Sequence, residues 1–232
     1  MHIENRNVPQ QARGRIRPFS KYLILWTLAF VTILAVPGCS LGVMFGKMFL
    51  GDPKVKSQFR TATGVDLTKG EKSILITCSA PHSVLSRYPS IQIDILDRMS
   101  RHLETRNVKI ISSDKVSSWF DDHGDWGDFS ALAENFDADY VMNIQIEIFR
   151  LDVPDSSNLQ QGKINGNIQV LDCQSGSAPA TAFERRFNLA FPDYPVPREN
   201  KSERLFTEQF QDRVSLTLAQ FLYDHRVSET VH

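Results

Sequence analysis

Cysteine is scarce in this chain. Three occur in 232 residues, and no two form a Cys-x-x-Cys pair. Gly-x-Ser-x-Gly, His-Glu-x-x-His and the glycine-rich phosphate loop are missing as well. The hydrolase elbow, the helical zinc-protease site and the nucleotide cradle therefore have no support in the sequence. An excess of one charge is also lacking: 26 basic residues face 27 acidic ones. No basic stripe with interleaved aromatics occurs, so nucleic acid is not an expected partner. Glycine (12) and proline (11) are modest beside 41% apolar residues, so most of the chain should fold. The length suits one ordinary domain plus extras.

What charge there is lies unevenly. Before Cys39 stand five basic residues (Arg6, Arg13, Arg15, Arg17, Lys21) and one acid, Glu4; the remainder is mildly acidic. Between the two comes "LILWTLAFVTILAV", Leu23 to Val36, 14 residues without a charge. A cationic head, an apolar core of this length and a small residue before a cysteine form a targeting pattern. The tetrapeptide "VPGC" resembles a bacterial lipobox, with an aliphatic residue three before the cysteine and Gly38 just before it. Pro37 departs from the usual Ala, Ser or Thr. On this reading residues 1–38 are a signal peptide of the lipoprotein type and 39–72 are a lipid-anchored tether and linker. Residues 73–232 are then an envelope domain. Each buried methylene contributes ~0.8 kcal/mol, so a lipidated Cys39 makes a durable membrane anchor. Ser40, rather than Asp, follows it, and by that resemblance the outer membrane is favoured over the inner.

A rival reading keeps the segment. From Tyr22 to Gly46 there are 25 residues without charge, and about 20 span a bilayer. Gly38, Gly42 and Gly46 carry the small-xxx-small spacing of packed membrane helices. After the cysteine, Leu41, Met44, Phe45, Met48 and Phe49 share one helical face, either a docking arm or a segment packed on the domain. Residues 51–72 are polar and turn-rich, a linker with some local structure.

The body reads as α+β. "KSILITCSA" is a short strand buried on both faces. Ile91, Ile95, Leu96, Met99 and Leu103 make a helical stripe, and "VKIIS" (108–112) is the next strand. Strand, helix, strand implies a parallel pair with a right-handed crossover. Short helices follow from Asp114 and after Asp128. Three long strands come next: "YVMNIQIEIFRL", "GKINGNIQVLDC" and "ATAFERRFNLAF". Their period-two alternation predicts an antiparallel meander solvated on one side. "DVPDSSNLQQG" and "QSGSAP" are read as the hairpin connections, and "FPDYPVPREN" as a proline-broken loop. A long C-terminal helix carries Leu205, Phe206, Phe210, Val214, Leu218, Phe221 and Leu222 as its apolar stripe. The expected fold is a two-layer mixed sheet of about five strands, covered by helices around one core.

The text "LAENFDADYVMNIQIEIFRL" followed by "VLDCQSG" resembles the envelope fold of three proteins. These are the lipoprotein activator of penicillin-binding proteins, the curli-secretion lipoprotein and the N-terminal domain of TolB. That resemblance covers roughly Ser73 to Phe191. It implies a periplasmic, non-enzymatic module that binds protein partners or assembles, with no catalytic residues and no cofactor to carry over.

Candidate chemistry is thin. "DDHGDWGD" gathers Asp121, His123 and Asp125, a weak candidate for a hard cation, without the glycine and glutamate spacing of an EF-hand. Trp119 and Trp126 flank it as partner contacts if exposed, or as core if buried. The loop "CSAPHSVLSRYP" follows the first strand at its carboxyl end, where parallel sheets bind ligands. Ser79, His82, Ser83 and Arg87 there could contact an anion or a peptide. Cys78 and Cys173 are the thiols left for a disulfide if the compartment is oxidising. The expected protein is an envelope lipoprotein facing the periplasm, anchored by the membrane and binding another envelope protein. The polar sheet face, the tether arm or the tryptophan loop would make the contact. The alternatives are a small-ligand binder or hydrolase using the His82 loop, and a single-span subunit retained through residues 22–46.

Overall fold

The computed structural model of the chain describes residues 52–123, 129–174 and 179–230. Ser73–Ser79 forms β2, whose first six side chains are all buried. The apolar stripe after it folds into α3 (Ile91–Glu104), burying Ile91, Ile95, Met99 and Leu103. This helix crosses to β3 (Lys109–Ile110), which pairs with β2 in parallel. The chain then returns through α4 (Ser113–His123) and α5 (Phe129–Phe136) to β4 (Tyr140–Val153), on the other side of β2 and parallel to it. β5 (Ser156–Asp172) and β6 (Ala180–Pro197) complete the meander, each antiparallel to the strand before it. The sheet order is β3-β2-β4-β5-β6. This is the expected α+β fold, with a parallel start, an antiparallel continuation and a long C-terminal helix, α6 (Glu203–Ala219). Ser202 begins that helix: its hydroxyl accepts the Leu205 N–H at 3.4 Å, and Glu203 sits in the first turn.

The core divides in two across the sheet. One face buries α3 and α6 against Ile74, Ile76, Met142, Ile144, Ile164 and Ile168. On the opposite face α4 and α5 cover a smaller cluster of Leu75, Val116, Trp119, Phe120, Leu132, Val141 and Leu171. Beyond that cluster the second face is polar.

Several boundaries differ from the sequence reading, each for a local reason. The strand expected over 108–112 pairs only at Lys109 and Ile110, because the Ser112 carbonyl already accepts the Val116 N–H at 3.3 Å and starts a helix. The alternation in β4 slips at a bulge between Ile146 and Ile148. Ile148, expected inside, is 45% exposed, and Phe149 and Leu151 are buried in its place. Opposite the bulge a Cβ on Gly166 would lie 2.0 Å from the Gln145 carbonyl oxygen, so only glycine fits. The first hairpin turn is just Pro154 and Asp155, and "SSNLQQG" is strand. "FPDYPVPREN" is largely strand too: Val196 and Pro197 pair with Gln160 and Leu159. Leu205 is 44% exposed, one position off the buried stripe of Phe206, Phe210, Val214 and Leu218.

Residues 52–72, read as linker, are folded. β1 (Lys54–Val55) pairs antiparallel with β7 (His225–Arg226), and α1 (Gln58–Thr63) follows. Phe59 and Leu67 are fully buried, with Phe59 edge-on to Tyr140 at 5.0 Å. Arg60 bridges Asp224 at 2.5 Å and Asp66 at 3.1 Å, and the Ser57 N–H donates to Asp224 at 2.9 Å. Two large apolar side chains in a polar stretch produce no periodicity, so the sequence did not flag them.

Candidate functional site

The topology opens a crevice at one end of the sheet. From β2 the chain leaves over one face to β3 and comes back over the other face to β4. Where neighbouring parallel strands send their connections apart, their carboxyl ends are left uncovered. A cleft of 520 Å³ lies there, lined by Thr77, Ser79, Ala80, Leu85, Gln92, Phe129, Asn143 and Gln145, with Cys78 at its base. Thr77 and Asn143 are direct neighbours in the β2–β4 register, and the Thr77 hydroxyl donates to Asn143 Oδ1 at 3.2 Å. Both are buried. Gln92 Nε2 donates to the Cys78 carbonyl at 3.0 Å. Burial pushes the Cys78 thiol up to about 12, so it stays protonated and is no nucleophile. Among the described residues the lining holds amides, hydroxyls and apolar groups, with no carboxylate, imidazole or cation. Such a surface recognises neutral hydrogen-bonding groups.

A second concavity of 250 Å³ adjoins the first and shares Thr77, Cys78 and Gln92 with it. It runs along the outer edge of β2 between α3 (Ile93, Leu96) and α4 (Ser113, Val116, Ser117, Phe120).

The expected site residues scatter. Ser79 lines the cleft, but His82 is exposed at the start of the single-turn α2 (His82–Leu85) and does not. From that loop the cleft takes Ala80 and Leu85 instead. Arg87 is exposed, 3.4 Å from Asp152, with its guanidinium 5.5 Å from the Tyr88 ring centre. Trp119 is 9% exposed and edge-on to Phe120 at 5.3 Å, so it belongs to the smaller core cluster. The disulfide is a correction: Cys78 and Cys173 are free thiols, and they pack with the clusters on opposite faces of the sheet. Cys173 sits beside Asp139, five residues along β4 from the Ile144 level of Cys78. That offset, at about 3.3 Å per residue, is far beyond a bridge. Cys39, Asp125 and Trp126 lie outside the described residues, as do the side chains of Asp121 and His123. Among the described residues no three His, Cys, Asp or Glu side chains are grouped to hold a metal, and no helix is long and apolar enough to cross a membrane. The segment 22–46 lies outside that search.

Gln92 and Phe129 were not expected at a site, whereas Asn143 and Gln145 belong to the polar sheet face expected to meet a partner. One signal was there: Thr77 is a polar residue inside the buried run Ile74–Cys78 of β2, and Asn143 is its neighbour in register.

Charge concentrates at the other end of the sheet. Asp139 accepts from Lys72 Nζ at 2.9 Å, from the Ser73 N–H at 2.7 Å and from the Ser73 hydroxyl at 3.0 Å. Burial would raise its carboxyl, but these donors outweigh it and hold Asp139 below the ordinary carboxylate value. Hydrogen bonding to Asp139 holds Lys72 above its own.

No protein-family model matches the chain, and no curated protein does. Several solved structures are similar to it. Lipoprotein GNA1162 from Neisseria meningitidis is 12% identical over 63% of this chain and 98% of its own, with a TM-score of 0.42. A PelC dodecamer from Paraburkholderia phytofirmans is 10% identical over 74% and 96%, with a TM-score of 0.41. The hypothetical protein CT253 from Chlamydia trachomatis is 12% identical over 65% and 97%, with a TM-score of 0.39. Bacterial lipoproteins recur among these similar structures. At such identities and scores none of them assigns the chain to a family.

Proposed function

We propose that the chain is a bacterial envelope lipoprotein, anchored through Cys39, whose α+β domain binds another envelope protein and performs no chemistry itself. The observation that carries this reading is the order of a cationic head, a 14-residue apolar core and "VPGC" at the start of the chain. The domain agrees with it. The described residues of the cleft at the carboxyl end of β2 offer hydrogen bonds and apolar contact, which suits binding. The cationic flank before Leu23 would stay in the cytoplasm and leave the domain facing the periplasm, and Ser40 after the cysteine favours the outer membrane over the inner.

Intact mass of the membrane-extracted chain tests the anchor. The expected mass is that of residues 39–232 plus a diacylglyceryl group and an amide-linked acyl chain. A chain that keeps Met1 and the whole of residues 1–38 sinks the lipoprotein reading and leaves the retained membrane span in its place.

The size of the cleft supports a second reading. Small-molecule pockets run from about 300 to 1,000 Å³, and this one falls inside that range. A neutral, hydrogen-bonding small ligand would then occupy it. Native mass spectrometry of the freshly purified chain separates the two readings: a stoichiometric small-molecule adduct that disappears in Asn143→Leu favours the small ligand.

A further inference from the structure

The sheet has two edges, and they are treated differently. β6 is blunted against added strands. It carries Pro192, Pro195 and Pro197, and Arg185 sits on the same face as Phe183 and Phe187. The outer edge of β2 has no such protection. β3 stands beside it only at Ser73 and Ile74. The Ile74 carbonyl faces that side, since it accepts the Ile111 N–H at 3.0 Å. Strand geometry alternates, so the backbone groups of Ile76 and Cys78 face the same way. No described strand stands there. A side chain has taken one of the vacant positions: the Gln92 amide donates to the Cys78 carbonyl, as a neighbouring strand's N–H would. The space alongside is the 250 Å³ groove, walled by Ile93 and Leu96 on one side and by Val116 and Phe120 on the other. Ile93, at its rim, is 61% exposed.

The geometry points to a strand-accepting site: an extended, uncharged peptide segment of a partner protein adds to the sheet along Ile76–Cys78, taking up where β3 stops. Two features define the peptide. Among the described residues no side chain lining the groove is charged, so a charged residue entering it would lose its hydration without a partner there. Ile93 and Leu96 on one wall and Val116 and Phe120 on the other, with Ser113 and Ser117 beside them, favour a segment that presents aliphatic side chains on both faces, as a central strand does. Main-chain hydrogen bonds supply affinity and the two walls supply selectivity, the mode known as β-augmentation. This inference rests on the reading of the domain as a binding module.

The test uses the full chain in detergent and a phage-displayed library of random heptapeptides. The expected enrichment is for aliphatic, uncharged sequences without a central proline. A synthetic peptide of the enriched sequence should slow hydrogen exchange of the Ile76 and Cys78 amides. Proline at its centre should weaken binding at least tenfold, and so should Ile93→Lys in the protein. Ile93 is exposed, so that variant folds; a Pro-substituted peptide needs no protein variant at all. No enrichment, charged enriched sequences, unchanged exchange at Ile76 and Cys78, or indifference to the central proline would each overturn the strand site. A photo-crosslinker at Gln145 and another at Ile93 separate the two proposals. Capture of an envelope protein from Gln145 but not from Ile93 keeps the binding module and removes the added strand. Capture from neither, with no peptide enriched, removes both.

Discussion

The two ends of the central β2–β4 pair differ in almost every respect. At the amino end β3 and the Phe59 arm close over the strands, and Lys72, Ser73 and Asp139 pair with one another. At the carboxyl end the connections diverge, the lining is neutral, and two adjoining concavities stay open. One sheet thus carries a sealed end, where polar groups are spent on each other, and an unsealed one, where they are available to a partner. Natural domains place binding groups on rigid scaffolds and pay for them in stability elsewhere. Mutations at the two ends should therefore separate cleanly into those that unfold the domain and those that do not.

The largest effect belongs to the sealed end. Phe59 is fully buried against Tyr140, and Phe59→Ala should destabilise the domain by about 4 kcal/mol, read as a shift in urea midpoint. A loss under ~1 kcal/mol would mean that the arm merely rests on the sheet, and the contrast between the ends would weaken. Asp139→Asn comes next, at about 1–2 kcal/mol at neutral pH, because one amide cannot serve the Ser73 N–H, its hydroxyl and Lys72 together. The folded-state value of Asp139 is lowered, so its contribution is present above the unfolded value of about 3.9 and fades as pH falls through the folded one. The gap between wild type and variant should accordingly begin to narrow below about pH 4 and go on narrowing as the pH falls. A gap that does not narrow at all as the pH falls further below about 4 would assign the loss to shape rather than charge.

How much of this contrast could be read in advance depends on whether the signal is local. The β2–α3–β3 crossover, the meander and α6 follow from periodicities of two and 3.6, which register burial along a single element. The Phe59 arm escaped because its partners, Tyr140 and the Phe221 carbonyl, are far away in sequence. The bulge after Ile146 escaped because alternation alone does not say where a strand slips. The site was legible only as a location. The loop after β2 was flagged for its place at a carboxyl edge, and Ser79 does line the cleft. His82 and Arg87 carry the loop's chemistry, and the backbone leaves both exposed outside the cleft. Gln92 and Asn143 carry no chemical label, since an amide in a helix or strand is commonplace until its surroundings are known.

The smallest expected effect is the most informative about the open end. Thr77 and Asn143 are buried and bonded to each other, with Gln169 beside Asn143 on the next strand. If that pair serves stability, removing it should hurt. Removing Thr77 takes the donor from Asn143 Oδ1, and removing Asn143 leaves the Thr77 hydroxyl only the Met142 carbonyl at 3.4 Å, so each costs up to ~1 kcal/mol; replacing both with apolar groups of similar shape is close to neutral or favourable. The double variant Thr77→Val/Asn143→Leu should therefore lie within about 0.5 kcal/mol of wild type or above it, while each single variant lies below. A polar pair whose joint removal costs the fold nothing has its use outside the fold, in whatever enters the cleft. A double variant that loses ~2 kcal/mol or more would instead make the pair part of the scaffold, and the two ends of the sheet would then differ in shape but not in purpose.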